Sequence, residues 1–262
     1  MIGMKSIKEY VQEEKTELKE KVKTLTLGNR LLDKPTLNIV QVGNVEASNR
    51  YVRNKVKDAE EIGINAVVLR LPETITTYEL QSYVDNLYGP TIVQLPLPQG
   101  VEEPRMAPYR DVDGFGAEAM YDPCTPGGII DYLDAIGFEY EGKLAVVIGR
   151  SNIVGKPMAK LLLDKNCTVA VVHSKTPEEM KQYLLQSADL VVCAVGKAGF
   201  LDPKDCPQAF IVDVGINFNE EGKLVGDVLV SEEAKYRVTP VPGGVGLLTR
   251  LKLMKNTLDY YG

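Results

Sequence analysis

A single histidine, His173, occurs in the 262 residues. A mechanism that needs two imidazoles, or a metal site built mainly from them, is therefore excluded by count. A general base has to be lysine, aspartate, glutamate or tyrosine. The four cysteines, Cys124, Cys167, Cys193 and Cys206, include no Cys-x-x-Cys pair. Nothing suggests secretion, and they read as reduced thiols of a cytoplasmic protein. No excess of basic charge exists: 30 Lys and Arg stand against 36 Asp and Glu, a net charge of −6. That balance argues against nonspecific nucleic-acid binding. It leaves room for an anionic small substrate, since local lysines still make a positive cleft. No apolar run approaches the ~20 residues of a membrane span, and the charged opening Met1–Lys21 lacks the apolar core of a signal peptide. Internal repeats and low-complexity segments are absent as well. What remains is ordinary for a globular chain, 44% hydrophobic and 25% charged, with a length that suits one large domain or two average ones.

The most informative stretch is Glu141–Pro157, EGKLAVVIGRSNIVGKP. Lys143–Ile148 is an apolar, β-branched run of the kind that forms a fully buried parallel strand. Small residues follow from Gly149 to Gly155, and then an apolar helical run over Met158–Leu163. Strand, small-residue turn and helix is the layout in which main-chain N–H groups at a helix N-terminus hold a pyrophosphate. The generic Gly-x-Gly-x-x-Gly pattern fits poorly, because Ser151 replaces the second glycine and the last spacing is one longer. By itself the stretch reads as a dinucleotide site or as a plain strand-to-helix turn.

The rest of the chain alternates strands and helices. Lys5–Leu25 is an amphipathic helix with Ile7, Val11, Leu18, Val22 and Leu25 on one stripe. Arg30–Lys34 is a loop and Pro35–Val42 a buried strand. Ala47–Gly63 is a helix with Ser48 or Asn49 as cap and Gly63 as stop. Ile64–Leu71 is a strand, Thr76–Leu87 a helix opened by a Thr76-x-x-Glu79 capping box, and Thr91–Leu95 a strand closed by Pro96 and Pro98, either of which suits a cis bond. Thr125 caps a helix that begins at Pro126. Thr168–His173, Leu190–Ala194, Phe210–Val214 and Arg237–Thr239 continue the strand series, with a helix at Pro177–Ser187. Gly246–Tyr261 is a closing helix that returns to the first half. The pattern is α/β with parallel sheets.

Polar residues at particular positions carry candidate chemistry, each beside a plainer reading. Tyr51 and Lys55 are four apart and share a helix face, as a surface pair or as part of a site. Gln94 sits at the carboxyl end of a buried strand, where ligand crevices of open α/β sheets lie, or it bonds loop backbone. Asp111-Val112-Asp113-Gly114 is a turn, or offers one carboxylate to the N–H donors of a planar heterocycle. It has too few oxygens for a hard cation, so no metal is expected. Pro242-Gly243-Gly244-Val245-Gly246 is a hinge, or a place where backbone approaches a ligand closely. His173 reads as a strand-end residue rather than a catalyst. After it comes Ser174-Lys175-Thr176, with no acid to hold a ribose 2′-hydroxyl. Arg150, Ser174 and Lys175 instead suit a 2′-phosphate.

The order of these segments is more specific than any one of them. Ser48-x-x-Tyr51-Val52-x-x-Lys55, Val93–Pro98, Asp111–Gly114, Pro123–Gly127, Gly149–Pro157, His173–Thr176, Asp213-x-Gly215-Ile216-Asn217, Gly226-Asp227-Val228 and Pro240–Gly246 occur in one chain. Nearly end to end, the sequence resembles the bifunctional methylenetetrahydrofolate dehydrogenase/methenyltetrahydrofolate cyclohydrolase family. The resemblance implies two α/β domains facing each other across a cleft. Residues 1–120 with 246–262 would form the catalytic, folate-binding domain, and residues 121–245 an NADP-binding Rossmann domain. It implies a homodimer joined through the nucleotide domains, a folate substrate and NADP as cofactor. Lys55 resembles the catalytic lysine, Tyr51 its neighbour over the pterin, Gln94 its partner and Asp113 the holder of the pterin ring. Val52, Val93, Leu95, Pro242, Gly243, Gly244, Val245 and Gly246 would line the folate pocket. Thr125, Gly149, Arg150, Ser151, Ile153, Ser174 and Ile216 would meet the dinucleotide.

Such chemistry is consistent with the residues. Hydride leaves the one-carbon bridge and produces a cationic methenyl group, so the site has to orient two rings more than supply a strong acid. Hydrolysis then needs a base. Burial and the nearby cation favour a neutral lysine, and Gln94 bonds a neutral amine without restoring the ammonium as a carboxylate would. The chain departs from the family pattern around the folate pocket. The segments before Thr91 and between Gly114 and Pro123 are short, the N-terminal lead-in is abbreviated, and Leu247-Leu248 stands where Pro-Met is usual. A dehydrogenase with little or no cyclohydrolase activity is the alternative those trims leave open.

Overall fold

The apolar runs form two separate parallel sheets. The structure is a computed structural model that describes residues 5–27, 34–116 and 118–262. The loop expected at Arg30–Lys34 lies, up to Asp33, outside the described residues. In chain order the elements are α1 (Ile7–Leu27), β1 (Thr36–Val42), α2 (Glu46–Ile62), β2 (Asn65–Leu71), α3 (Thr77–Asp85), β3 (Thr91–Gln94), α4 (Cys124–Ala135), β4 (Leu144–Ile148), α5 (Gly155–Asp164), β5 (Thr168–Val172), α6 (Glu178–Ser187), β6 (Leu190–Cys193), β7 (Phe210–Asp213), β8 (Asn217–Phe218), β9 (Leu224–Val225) and α7 (Val245–Asp259). The chain divides into two compact units, one of residues up to Val11 with Thr125–Thr249, the other Gln12–Cys124 with Arg250–Gly262.

This division differs from the expected boundaries at both ends. The first described residues and residues 246–249 belong with the nucleotide-type sheet. Local packing within that unit gives the reason. The Tyr132 hydroxyl donates to the Lys5 carbonyl at 2.9 Å, and the Tyr10 and Tyr132 rings lie 5.6 Å apart. Thr125 and Thr249 share a hydroxyl hydrogen bond of 2.9 Å. Gly128 runs so close to α7 that a Cβ there would stand 2.6 Å from the Leu248 carbonyl oxygen.

In the unit of Gln12–Cys124, the sheet order is β2-β1-β3, all parallel. β1 is buried along almost its whole length, as a strand sandwiched on both faces must be. The segment after β3 adds an isolated parallel bridge, Thr91 to Asp111, which carries Asp111–Gly114 along the sheet edge. One sheet face packs on α3 through Val40, Val42, Leu80, Val84 and Val93. The Thr76–Glu79 capping box is formed, and Gly63 stops α2 in the left-handed conformation, φ 93°. The expected cap of α2 is corrected. Val45 is the N-cap, without a side-chain bond; Ser48 is buried inside the helix, and Asn49 is engaged by Gln41. Part of α7 returns to this unit, as read from the sequence. Arg250 pairs with Asp58 of α2, and Asp58 also takes Lys15 at 2.6 Å, so α1 and α7 brace the helix that carries Lys55.

In the other unit the sheet order is β5-β4-β6-β7, again all parallel. Val146, Ile148, Val172, Val191, Cys193 and Ile211 bury one face against Leu185 of α6. Two expectations change here. Thr125 lies inside α4, whose first residue is Cys124, and its hydroxyl meets Thr249 rather than capping. Arg237–Thr239 is a single parallel bridge between Ile211 and Val238, not a strand. Beyond the expected elements, β8 and β9 pair as a short antiparallel hairpin.

All four thiols are buried and unpaired with one another. Burial pushes each of them up, Cys206 to about 11. A thiolate is the species that reacts. A disulfide reagent mixed with native protein at pH 8 is therefore expected to titrate no fast thiol, and four after denaturation. One or more fast thiols in the native protein would contradict this packing.

Candidate active site

Within the unit of Gln12–Cys124, the carboxyl ends of β1 and β3 gather the polar residues. α2 runs back from the end of β1, and Val52, Lys55, Ala59 and Ile62 fall on its buried face. The spacing of three and four that buries Val52 and Ala59 therefore buries Lys55 too; it is 8% exposed. Its amine reaches Asp113 at 4.0 Å, and Asp113 is 7% exposed. Lys55 is thus no surface lysine, and two of the residues the sequence singled out for chemistry, Lys55 and Asp113, lie together. Tyr51, one turn earlier, is part-exposed at 38%. Burial raises its phenol above the usual range, so the hydroxyl stays protonated while one side of the ring remains open.

The loop that presents Asp113 is held by its neighbour. Asp111 accepts from Gly114 N at 3.0 Å and Gly116 N at 2.7 Å. Gly114 has φ 76°, and a Cβ there would meet the Tyr121 carbonyl oxygen at 2.7 Å, so only glycine makes this turn. Asn256 of α7 donates to the Val112 and Asp122 carbonyls at 3.0 and 3.1 Å. The Cys124 thiol donates to the Val112 carbonyl at 3.3 Å. Asp111 therefore holds the turn and Asp113 faces the lysine. Burial, with Asp113 nearby, keeps Asp111 above the ordinary carboxylate range despite those bonds. Burial and the charges of Asp111 and Asp113 do the same to Glu103. Glu103 and Asp111 border a cavity of about 520 Å³ with Met106 and Phe115. Sequence reading missed Glu103, which no local pattern ties to Asp113.

Of the two readings of Gln94, the structure shows the bond to loop backbone and not the one to Lys55. The Gln94 Nε2 donates to the adjoining Leu95 carbonyl at 2.7 Å. Its Oε1 is buried and has no hydrogen-bond partner among the described residues, so the expected bond to Lys55 is not made. Val52 and Val93 are core residues, 1% and 3% exposed, and Leu95 is half-buried before the cis bond to Pro96. Pro98 is not cis.

In the other unit, β4, β5 and β6 end around a cavity of about 570 Å³. Gly149, Arg150, Ser151, Ser174, His173 and Lys197 are among its lining. A Cβ on Gly149 would stand 2.3 Å from the Ala194 carbonyl oxygen, at φ 118°, and one on Gly155 2.4 Å from the Gly149 oxygen. The backbone is thereby laid open at the start of α5, the form a pyrophosphate cradle takes. Ser151, the residue that spoils the generic glycine pattern, accepts from Val154 N at 3.1 Å and Gly155 N at 3.3 Å. It ties the turn to the helix. His173 accepts from Lys175 N at 3.2 Å through Nδ1, which organises the turn after β5. Thr125, Ile153 and Ile216 are not part of this lining; Ile153 and Ile216 are exposed. Pro242–Gly246 lies in this unit as well. It contains the cis bond Val241–Pro242 and Gly243 at φ 95°, and it leads directly into α7.

The motif Asp213…Asp227 organises the loops beside the cavity. Asp227 is fully buried and accepts from Val195, Gly196 and Lys197 N at 2.7, 2.9 and 2.8 Å, and from Asn217 Nδ2 at 2.9 Å. Its own N–H donates to Asp213 Oδ1 at 2.9 Å.

Comparison with known proteins matches a family model to each part of the chain. The model of the tetrahydrofolate dehydrogenase/cyclohydrolase catalytic domain matches residues 5–113, and that of the family's NAD(P)-binding domain matches residues 123–262. The bifunctional protein FolD of Listeria innocua is 44% identical over 247 residues, 86% of each chain. The crystal structure of the bifunctional FolD methylenetetrahydrofolate dehydrogenase/cyclohydrolase of Campylobacter jejuni has a TM-score of 0.91 at 36% identity, covering 98% of this chain and 97% of that one. The Trypanosoma brucei enzyme, solved with NADP and an inhibitor, has a TM-score of 0.85 at 30% identity over 96% and 94%. With both domain models matched in order and identities above 40% over most of its length, the chain belongs to the tetrahydrofolate dehydrogenase/cyclohydrolase family.

Proposed function

We propose that the protein oxidises 5,10-methylenetetrahydrofolate with NADP and hydrolyses the 5,10-methenyl product to 10-formyltetrahydrofolate. The observation that carries this reading is the buried Lys55 amine 4.0 Å from buried Asp113, where the strands of one sheet end. Asp113 accepts the N–H donors of the pterin ring, a charge-assisted pairing that fixes the ring's direction. Tyr51 offers its open face for stacking. Lys55 takes the proton from the attacking water.

The cradle of Gly149, Ser151 and the start of α5 fits a dinucleotide pyrophosphate, and Arg150 and Ser174 fit a 2′-phosphate. NADP, when bound, supplies the hydride acceptor. We assign the folate chemistry to the unit of Gln12–Cys124 and the dinucleotide to that of Thr125–Thr249. The resemblance further gives Val52, Val93, Leu95 and Pro242–Gly246 to the substrate, and Thr125, Ile153 and Ile216 to the dinucleotide. It also supports a homodimer. The unpaired thiols support a cytoplasmic setting. No helix of the described residues is long and apolar enough to cross a membrane.

Purified protein given methylenetetrahydrofolate is expected to reduce NADP in preference to NAD and to release 10-formyltetrahydrofolate. Reduction of NADP with methenyl as the final product would restrict the enzyme to the dehydrogenase step. No reduction of either cofactor would overturn the reading.

A further inference from the structure

Gln41 is the next-to-last residue of β1, and strand register sets it beside Gln94 at the end of β3. Register partners on neighbouring parallel strands point to the same sheet face, with backbones about 4.8 Å apart. Two amide side chains therefore stand together there. Each has its nitrogen committed elsewhere. Gln41 Nε2 donates to Asn49 Oδ1 on α2 at 2.7 Å, and Gln94 Nε2 donates to the Leu95 carbonyl at 2.7 Å. These bonds fix which way both amides are turned. Their oxygens, Gln41 Oε1 and Gln94 Oε1, are buried, and among the described residues they are the side-chain atoms of this kind that have no hydrogen-bond partner. Gln41 is 1% exposed. An unsatisfied buried acceptor costs stability, and such groups in a native fold point to a strain reservoir, a catalytic role or a bound species. Here two coincide at one register position, at the strand ends that also hold Asp113 and next to the helix of Lys55.

Two adjacent acceptors with no protein donor suit a single small molecule with two donors. Water has two O–H groups, and when both are given to fixed oxygens its lone pair faces away from them. We propose that Gln41, acting with Gln94, holds the water that hydrolyses the methenyl bridge, and is thus a positioning residue for the cyclohydrolase step. This rests on the function proposed above and deepens it. The water oxygen forms a bond to the cationic methenyl carbon, whose C=N electron pair moves onto nitrogen. The proton that faced Gln94 passes to the Lys55 amine, and the new ammonium turns a donor toward the vacated Gln94 oxygen. The other proton stays on the adduct hydroxyl, held by Gln41. That hydroxyl proton then goes to N5 as the C–N5 bond breaks, which leaves the formyl group on N10. Lys55 returns its proton to solvent. Methenyl cation and water thus give the formyl product and one proton. Hydride transfer consumes no water, so the dehydrogenase step does not need Gln41.

Gln41→Met keeps the length of the side chain and removes the acceptor. The expected result is a cyclohydrolase kcat at least about tenfold lower, since loose positioning of a reactant has effects of that order or larger. The KM for the methenyl substrate and the dehydrogenase kcat are each expected to stay within about twofold. The melting temperature is expected to change by only a few degrees, because removal of the unsatisfied acceptor offsets loss of the bond to Asn49. Asn49→Ala releases the nitrogen of Gln41 and is expected to give a smaller loss with the same division between the two activities; it carries the test if Gln41→Met fails to fold. Unchanged hydrolysis in both variants would overturn the proposal. So would a parallel fall of both activities, which marks a structural role, or a raised KM with intact kcat, which marks a substrate contact. A wild-type protein without cyclohydrolase activity would overturn the underlying reading, whereas a wild type and Gln41→Met that hydrolyse equally would overturn this inference alone.

Discussion

Lys55→Met is expected to lower cyclohydrolase kcat by about 10³-fold, within the range assigned to a positioned general base, while the protein still folds and still reduces NADP. The division follows from the chemistry of the two steps. Hydride transfer moves no proton, so loss of the amine removes at most a neighbour of the substrate ring. Hydrolysis has to take a proton from water as the C–O bond forms. Among the described residues, the other titratable groups around Asp113 include the Cys124 thiol, which burial pushes well up, Asp111, which burial and the charge of Asp113 hold up, and Glu103, which burial and the charges of Asp111 and Asp113 hold up. Asp111 is already bonded to Gly114 and Gly116 and is not free to replace the amine. Folding should survive because methionine matches the apolar stem of lysine on the α2 face shared with Val52 and Ala59. Asp113 loses a partner 4.0 Å away rather than a tight ion pair. Separate assays of the two steps on the purified variant check this. Hydrolysis within tenfold of wild type would remove Lys55 from the mechanism.

That residue shows what the sequence discloses and what it withholds. The strands were legible because buried parallel strands are runs of Val, Ile and Leu, and the β4–β7 runs were correct to within a residue or two. The capping box at Thr76 and the stop at Gly63 were legible because each is a local arrangement of backbone and side chain. The cap expected at Ser48 or Asn49 failed for a tertiary reason: Gln41, eight residues earlier, claims the Asn49 amide. Thr125 failed in the same way, through Thr249. Lys55 and Asp113 were legible as members of an ordered series of motifs, but by spacing alone Lys55 passes for a surface lysine. Its burial depends on sheet, α1 and α7 together. Gln94 was correctly placed at a strand end, yet its actual bond, to Leu95, depends on the turn of the loop that follows. Glu103 and Gln41 carried no signal, because what distinguishes them is long-range proximity. The β8–β9 hairpin has two-residue strands, too short to show a period of two.

The largest structural effect is expected from Asp227→Ala, with a loss of about 4 kcal/mol of stability. The buried carboxylate serves three consecutive main-chain N–H groups and the Asn217 amide. Alanine leaves these donors without an acceptor, and a buried unsatisfied donor costs about 1–3 kcal/mol; partial relaxation and entry of water keep the total below the simple sum. Gly215 and Gly226 show how closely the loop is fitted, since a Cβ on Gly226 would fall 1.8 Å from Asp213 Oδ2. With roughly 2–4 °C per kcal/mol for a chain of this size, the melting temperature should fall by about 10 °C. The functional consequence is selective. Val195 and Lys197, whose N–H groups Asp227 holds, line the dinucleotide cavity, so below the new melting temperature the KM for NADP should rise several-fold. Hydrolysis of supplied methenyltetrahydrofolate, which we assign to Lys55, Asp113, Gln94 and Gln41, all in Gln12–Cys124, should change by less than about threefold. Asp227→Asn keeps one acceptor oxygen but turns an N–H₂ toward some of the same donors, so its loss should be intermediate. Thermal unfolding combined with the two separate assays decides the matter. An unchanged melting temperature would mean that the loop does not depend on Asp227, and equal losses in both activities would mean that the damage is not confined to the nucleotide unit.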